Sequence, residues 1–273
     1  MINISLEIAL MQLNVYFGDP DKNLNQVSNI IQSFTPQIDV EYTILLLPEL
    51  FTTGYDLDAI NKHAEPLEDS KALKLLLKFA KHKKIWIYTS IPEKDENKTY
   101  NTGILISPKG ELVSSYRKIH LFGPLGEKKA FKCGKEVVQV QTPWGNTGLM
   151  ICYDLRFPEQ FIPLRNANTR LYLLVAEWPI QRIDHWIALA KARAIENQAY
   201  FVGLNRIGMD PTATYGGNSI VIAPDGTVEG KLGSTEGVLS VKIEMGKIQA
   251  IQSLFKITED ANTPLEFRST KLD

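Results

Sequence analysis

Short, uninterrupted apolar runs alternate with amphipathic stretches along most of this chain, and that alternation constrains the fold more than any other feature. Tyr42–Leu47 (YTILLL) presents no polar face, as expected of a strand buried on both sides. Thr147–Cys152 and Leu171–Ala176 read the same way, separated by a helix that starts near Pro158. Further strands are predicted at Ile4–Leu13, Ile85–Ile91, Thr102–Ser107, Glu111–Arg117, Tyr200–Asn205, Asn218–Ala223, Thr227–Lys231 and Val238–Ile243. A helix near Lys22–Phe34 can be capped from Asp19-Pro20-Asp21. Ser70–Lys83 places Leu73, Leu76, Leu77 and Ala80 on one side of a second helix, and Asp184–Gln198 reads as a third.

Strands alternating with helices give an α/β class. Turn signals at Pro108-Lys109-Gly110 and Pro224-Asp225-Gly226 close hairpins, so the sheets are mixed rather than purely parallel. Pattern alone leaves the number of sheets open. No repeat, low-complexity tract or Gly/Ser linker divides the chain, so residues 1–273 read as one domain, and 44% hydrophobic residues suffice for a substantial core. The polar, aperiodic tail, 253–273, is expected to wrap the surface or a partner subunit.

Charge and cysteine usage narrow the function. The formal net charge is −1 with Lys and Arg dispersed, so no basic face for nucleic acid is expected. The densest basic run, Lys81-His82-Lys83-Lys84, falls at a helix C-terminus, where cations complement the dipole. The N-terminus lacks the basic and apolar regions of a signal peptide, and no apolar run approaches the roughly 20 residues needed to cross a bilayer. Cys133 and Cys152 are the only cysteines, which suits a reducing, cytoplasmic setting. The histidines and cysteines show no zinc-like spacing and no glycine-rich phosphate loop follows a strand, so neither metal nor cofactor is expected.

Three residues stand where chemistry is usually placed. Cys152 ends an apolar strand and precedes Tyr153-Asp154-Leu155-Arg156-Phe157-Pro158, a sharp turn leading into a helix. Such a turn exposes a nucleophile near free backbone N–H groups, although a small buried hydrophobe is the ordinary fate of cysteine. Glu49 follows Leu45-Leu46-Leu47-Pro48 directly; a carboxylate in such apolar company requires a partner or a raised pKa. Lys118 closes a strand within Tyr116-Arg117-Lys118-Ile119-His120-Leu121-Phe122, and on its own reads as a surface lysine.

Taken together, Pro48-Glu49-Leu50-Phe51…Gly54-Tyr55, Tyr116–Phe122 and Cys152–Glu159 resemble the three signature blocks of the nitrilase (carbon–nitrogen hydrolase) superfamily, in that family's order and spacing. A fourth similar stretch is His185-Trp186…Ala192-Arg193-Ala194-Ile195-Glu196-Asn197-Gln198, and the resemblance spans Ile4 to about Val241. It implies a four-layer α-β-β-α sandwich, usually paired through its helices into a homodimer. It also implies a catalytic triad of Glu49 as general base, Lys118 as oxyanion stabiliser and Cys152 as nucleophile. The backbone N–H of Tyr153 is expected to join the oxyanion site. Glu127 aligns with a second glutamate of the family that positions Lys118 or the hydrolytic water; its other reading is a solvated loop charge.

Other readings predict other behaviour. A cysteine–histidine protease would pair Cys152 with His120 or His185, whereas the resemblance makes both histidines buried, hydrogen-bonded residues. An inert descendant of the fold would have lost one of the three residue types, and none is missing. Glu177-Trp178-Pro179, His185-Trp186 and Asn205-Arg206-Ile207-Gly208 are most similar to the ω-amidase branch, which hydrolyses short dicarboxylic monoamides such as 2-oxoglutaramate. An N-carbamoyl-amine hydrolase or another aliphatic amidase is the alternative. Tyr55, Arg156, Glu177, Trp178 and Arg206 are the candidate substrate-binding residues. Arg156 and Arg206 are the candidate cations for a distal carboxylate, with an ion pair as the competing role of Arg156. Glu177 departs from the branch: its charge would repel a dicarboxylate unless Arg182 or Arg206 pairs with it. The 122–135 loop, following Lys118, is expected to border the pocket and to gate it.

Overall fold

The structure, a computed structural model, describes residues 4–37 and 39–261. In chain order the first strands are β1 (Ser5–Gln12), β2 (Tyr42–Leu46), β3 (Trp86–Asp95), β4 (Lys98–Ile106) and β5 (Leu112–Arg117). There follow β6 (Val138–Thr142), β7 (Gly145–Ile151), β8 (Leu171–Ala176) and β9 (Tyr200–Asn205). The last are β10 (Ile207–Met209), β11 (Thr214–Gly216), β12 (Ile220–Ile222), β13 (Val228–Lys231) and β14 (Gly237–Glu244). The longer helices are α1 (Pro20–Ser33), α3 (Lys71–Lys83), α5 (Pro158–Asn166), α6 (Ile183–Asn197) and α7 (Gly246–Leu254). Single turns form α2 (Ile60–His63), α4 (Glu127–Ala130) and α8 (Ile257–Asp260).

Two six-stranded sheets result, ordered β14-β1-β2-β3-β4-β5 and β13-β12-β9-β8-β7-β6. In each, three central strands run parallel (β1-β2-β3 and β7-β8-β9) and the flanking strands are antiparallel, as the hairpin signals require. Strand alternation sorts the side chains between layers. Ile8 and Leu10 of β1 join Leu173, Val175 and Val202 in the core between the sheets. Ala9 and Met11, one residue out of phase, pack with Val27 and Ile31 of α1 and Leu73, Leu76 and Ala80 of α3. On the other side Trp186, Ala190 and Ala194 of α6 and Phe161 and Leu164 of α5 cover the second sheet. Tyr88 of β3 ties the sheets together by donating to the Met150 carbonyl of β7 at 2.9 Å. The order helix, sheet, sheet, helix is the expected four-layer sandwich.

Every strand and helix expected from the sequence is present, with ends shifted by a few residues. Asp19 and Ser70 cap α1 and α3 by accepting from Lys22 and Leu73 N–H. Lys83, in the basic run, donates to the Gln32 and Phe34 carbonyls at the end of α1, which is a structural role. Several features were not expected. One is β6, whose alternating Val-Gln-Val-Gln lacks the continuous apolar run of a central strand. The others are the short β10–β11 hairpin, α7 and the single turns α2, α4 and α8. Of the tail expected to wrap the surface, 262–273 lie outside the described residues. Ahead of them, Gln198 donates to the Phe255 carbonyl at 2.8 Å. Among the described residues no helix is long and apolar enough to cross a membrane.

Candidate active site

Loops leaving β2, β5, β7 and β8 converge on one point, and three of these are central or near-central strands whose C-terminal ends face the same crevice. Glu49 lies just beyond β2, on a turn whose Pro48 carbonyl accepts from Thr89 Oγ1 at 2.8 Å and whose Leu50 N–H donates to Ser90 Oγ at 2.9 Å. Leu50 is held in the left-handed region at φ 44°. Cys152 follows β7 and sits at φ 46°, heading a 3-10 turn over Cys152–Arg156. Left-handed backbone costs a non-glycine residue about 1–2 kcal/mol. Both strained positions therefore need outside support, and they adjoin or carry the two residues singled out by chemistry.

Asp154 provides much of that support for the cysteine turn. Fully buried, its Oδ2 accepts from Ile151 N–H at 2.9 Å and Tyr116 O–H at 2.7 Å. Its Oδ1 lies 3.1 Å from His120 N, which donates to it, and 2.9 Å from His120 Nδ1. One carboxylate thus fixes both the turn bearing Cys152 and the segment that follows Lys118.

The side chains of Glu49, Lys118 and Glu127 are wholly inaccessible and Cys152 is 5% exposed. Lys118 Nζ donates to Glu49 Oε1 at 2.8 Å and to both Glu127 oxygens at 2.7 and 3.0 Å, with Tyr55 Oη 3.4 Å away. Glu49 Oε1 also accepts from Asn101 Nδ2 at 2.7 Å, and its Oε2 from the Glu177 N–H at 2.8 Å. The Glu177 carbonyl faces Cys152 Sγ at 3.9 Å. Glu127 further accepts from the Phe122 N–H, which anchors the 122–135 loop.

The electrostatics follow from burying two carboxylates with one ammonium. Burial raises the pKa of Glu49; Lys118 opposes this and Glu127 adds to it. The Cys152 thiol is pushed well above its usual value by burial and then by the Glu49 carboxylate, against the pull of Lys118. Burial alone would lower Lys118, yet the charges of Glu127, Glu49 and Cys152 hold it well above an ordinary lysine. Burial thus favours the neutral thiol at Cys152, and the surrounding acidic groups favour the charged amine at Lys118.

Above Cys152 lies a cavity of about 20 Å³, space for about one water, lined by Tyr55, Phe122, Tyr153, Arg156, Glu177, Trp178, Pro179 and Arg182. The 122–135 loop borders it through Phe122, as the sequence suggests. Four of the five candidate substrate-binding residues line it; Arg206 does not. Fully buried behind the cavity, Arg206 pairs with Glu177 Oε2 at 2.9 Å and Asp210 Oδ2 at 3.4 Å and donates to the Val15 carbonyl at 2.6 Å. It is a structural ion-pair residue. Glu177 accordingly pairs with Arg206 rather than Arg182. Arg156 takes the opposite course from its competing ion-pair role: among the described residues it has no carboxylate partner. Its guanidinium lies 4.7 Å over the Trp178 ring and 3.2 Å from His185 Nδ1.

His120 stacks on Phe157 at 3.7 Å and bonds Asp154, so it is hydrogen-bonded as expected, but it is half-buried rather than buried. His185 is exposed, contrary to the burial expected of it, because it occupies the outward side of the first turn of α6. Sequence reasoning missed Asn101, Asp154 and Arg182. An asparagine inside the apolar strand β4 is a legible signal, since a buried amide needs a buried partner. Arg182 carries none; it is a surface-type residue brought to the rim by the turn over Ile180–Arg182. Among the described residues no group of three or more His, Cys, Asp or Glu side chains could hold a metal ion.

The mixed double-sheet sandwich brings Cys152, Glu49 and Lys118 together, all buried, at its strand ends. The chain belongs to the carbon-nitrogen hydrolases, whose family model matches residues 7–253, and it is an enzyme acting on carbon–nitrogen bonds. It is 30% identical to the 2-oxoglutaramate amidase of Bacillus subtilis over 94% of this chain and 98% of that protein. The crystal structure of XC1258 from Xanthomonas campestris, a CN-hydrolase superfamily protein with an arsenic adduct in its active site, superposes with a TM-score of 0.87. It covers 98% of this chain and 100% of its own at 28% identity. A Glu-to-Gln mutant of the amidase from Nesterenkonia sp. AN1, of the nitrilase superfamily, shows covalent addition of the acetamide moiety of fluoroacetamide at its active-site cysteine. That structure is 26% identical with a TM-score of 0.76, covering 90% of this chain and 92% of its own.

Proposed function

We propose that this enzyme hydrolyses small linear amides to a carboxylic acid and ammonia through a thioester on Cys152. One observation carries the reading: Glu49 and Lys118, both wholly buried, are bonded to each other at 2.8 Å beside a buried protonated thiol. Only a few per cent of an ordinary thiol is ionised at neutral pH, and this one less, so attack requires a base. Glu49 takes the Sγ proton as sulfur bonds to the amide carbon. The resulting oxyanion is met by Lys118 Nζ and by the Tyr153 N–H, which lies in the first turn of a helix and lacks an intrahelical acceptor. The C–N bond then breaks, Glu49 returns its proton to the nitrogen, and ammonia departs. Water deprotonated by Glu49 attacks the thioester; the acid leaves and the thiol is reprotonated. Glu127 keeps Lys118 charged throughout.

The substrate class we favour is the short dicarboxylic monoamide, such as 2-oxoglutaramate. Arg156 and Arg182 line the cavity and have no carboxylate partner among the described residues, so a substrate carboxylate can supply it. The name of the Bacillus subtilis relative supports the same class. The alternative, an N-carbamoyl-amine hydrolase or another aliphatic amidase, gains support from the acetamide adduct of the Nesterenkonia amidase. Ammonia release from a panel of ω-monoamides, neutral amides and N-carbamoyl compounds decides between them. Preferred turnover of ω-monoamides, weakened in Arg156→Gln through KM, fits the first reading; turnover of carbamoyl compounds alone eliminates it. Glu49→Gln should lower acyl transfer by about 10²–10⁴-fold.

Three further expectations belong to this proposal. A cavity with space for about one water admits an amide only if its rim moves, and the 122–135 loop is the segment we assign as gate. Pairing into a homodimer would cover Ile162 of α5 and Ile195 of α6, which are 45% and 48% exposed; sedimentation reads the outcome. Both cysteines are free thiols, in keeping with a reducing cytoplasm.

A further inference from the structure

Glu177 is the one carboxylate of the site with an oxygen left over. It is 2% exposed and lines the cavity with Cys152. Oε2 is held by Arg206 at 2.9 Å, whereas Oε1 is buried with no hydrogen-bond partner. The neighbouring carboxylates are better served. Asp210 accepts from Thr212 N–H and O–H, Ala213 N–H and Tyr215 O–H as well as Arg206. Glu49 accepts from Lys118, Asn101 and the Glu177 N–H. A buried carboxylate oxygen without a donor is costly, and the cost disappears if that oxygen carries a proton.

We propose that Glu177 is a specificity-determining residue that, held neutral, donates an O–H hydrogen bond from Oε1 to a carbonyl or carboxylate oxygen on the acyl chain of the bound amide. The proposal deepens the amidase reading and rests on it. It also removes the conflict posed by a glutamate in a pocket rimmed by Arg156 and Arg182: a neutral carboxyl does not repel an anionic substrate, and its donor adds to their recognition.

The groups around Glu177 set when it ionises. Burial raises its pKa, Arg206 opposes, and the charges of Glu49 and Asp210 add to the rise, leaving it at about 8. Tyr55, Tyr215 and Cys152 also adjoin it but are neutral at that pH, their own pKa values being raised. Above that pH the donor is lost and a negative charge faces the substrate. For an anionic amide KM should then climb, up to about tenfold per pH unit for a single ionisation. In Glu177→Gln, Arg206 orients the amide by donating to its oxygen, so an N–H₂ replaces the O–H and does not titrate.

The experiment is steady-state ammonia release across the neutral to alkaline range, with succinamate and the uncharged butyramide, for wild type and Glu177→Gln. Expected is an alkaline rise in KM for succinamate with wild type only, absent for butyramide and absent in the variant. An equal rise for butyramide, or one that survives in Glu177→Gln, overturns the proposal while leaving the amidase reading intact. If butyramide is not turned over, wild type against the variant on succinamate decides; if the variant does not fold, the two substrates on wild type decide. No ammonia from either amide rejects the amidase reading itself, and the proposal with it.

Discussion

Asp154→Asn tests whether one buried carboxylate organises both halves of the site. Asp154 accepts at both oxygens, from Ile151 N–H and Tyr116 O–H on one side and from His120 N–H, with Nδ1 alongside, on the other. Asparagine can accept on one side only. It is best placed with its amide nitrogen toward His120, because Nδ1 can become the acceptor by a change of tautomer. The His120 backbone N–H is then orphaned, at about 1–3 kcal/mol. The two bonds that remain fall from charge-assisted to neutral strength, together about 2 kcal/mol. Relief from burying a charge offsets part of this. The net expectation is a loss of about 2–4 kcal/mol by urea unfolding, or roughly 3–7 °C in Tm for a chain of this size. The catalytic effect should exceed what stability explains. The bond that holds the Cys152 turn is weakened and the segment after Lys118 loses its anchor at the His120 N–H, and small misplacements cost up to about 10²-fold. Loss of stability with wild-type kcat at a temperature where the variant is folded would refute the organising role. A change in stability below about 1 kcal/mol would refute the hydrogen-bond reasoning itself.

Two further substitutions read the buried charges. Lys118→Met removes the oxyanion donor and should lower kcat by about 10²–10³-fold. It also leaves Glu49 and Glu127 without a cation, so stability should fall by about 3–5 kcal/mol at neutral pH. With Lys118 no longer opposing burial, the pKa of Glu49 rises further in the folded protein, so that loss grows as pH rises past the unfolded value and is recovered on acidification; a pH-independent loss would contradict the geometry. In Glu127→Gln the charge that helps raise Glu49 is gone, so the acid limb of the kcat/KM profile should move to lower pH. An unmoved limb would show that Glu127 does not act on the base.

Much of this site is legible in the chain because its chemistry sits at the ends of strands that announce themselves. Tyr42–Leu46 and Gly145–Ile151 are apolar enough to be buried centrally, and a charged or nucleophilic residue placed just beyond such a strand has few bland explanations. Lys118 was legible only by resemblance, since nothing local marks a lysine after a half-exposed strand as buried. The sequence offers Arg182 and Arg206 alike as partners of Glu177 without deciding between them, and nothing in it shows that Arg156 stays out of an ion pair. Which of two arginines enters an ion pair depends on packing of the β10–β11 hairpin and on chain that contributes only backbone carbonyls, such as Val15. Backbone groups have no sequence signature, and the same holds for the Glu177 peptide, whose N–H and C=O face the base and the thiol. The left-handed turns at Leu50 and Cys152 were hidden too, because neither residue type favours that conformation.

An excess of buried carboxylate makes this thiol unlike that of a cysteine–histidine enzyme, where a cation stabilises a standing thiolate. Here burial and Glu49 keep Cys152 protonated, and in the proposed mechanism its nucleophilicity appears only when a substrate is seated and Glu49 takes the proton. Reactivity toward electrophiles should therefore depend on shape rather than on thiolate content. A bulky aromatic disulfide should modify the exposed Cys133 and spare Cys152, which is 5% exposed above a cavity of about 20 Å³. Iodoacetamide, which carries the primary amide of the proposed substrates, should reverse the order and modify Cys152 first. Glu49→Gln should slow that reaction by about 10²-fold while leaving Cys133 unaffected. Peptide mapping by mass spectrometry measures both rates in one sample. Equal rates of carbamidomethylation at the two cysteines, or indifference of Cys152 to Glu49→Gln, would mean that the buried carboxylate is not the base and that the thiol is inert.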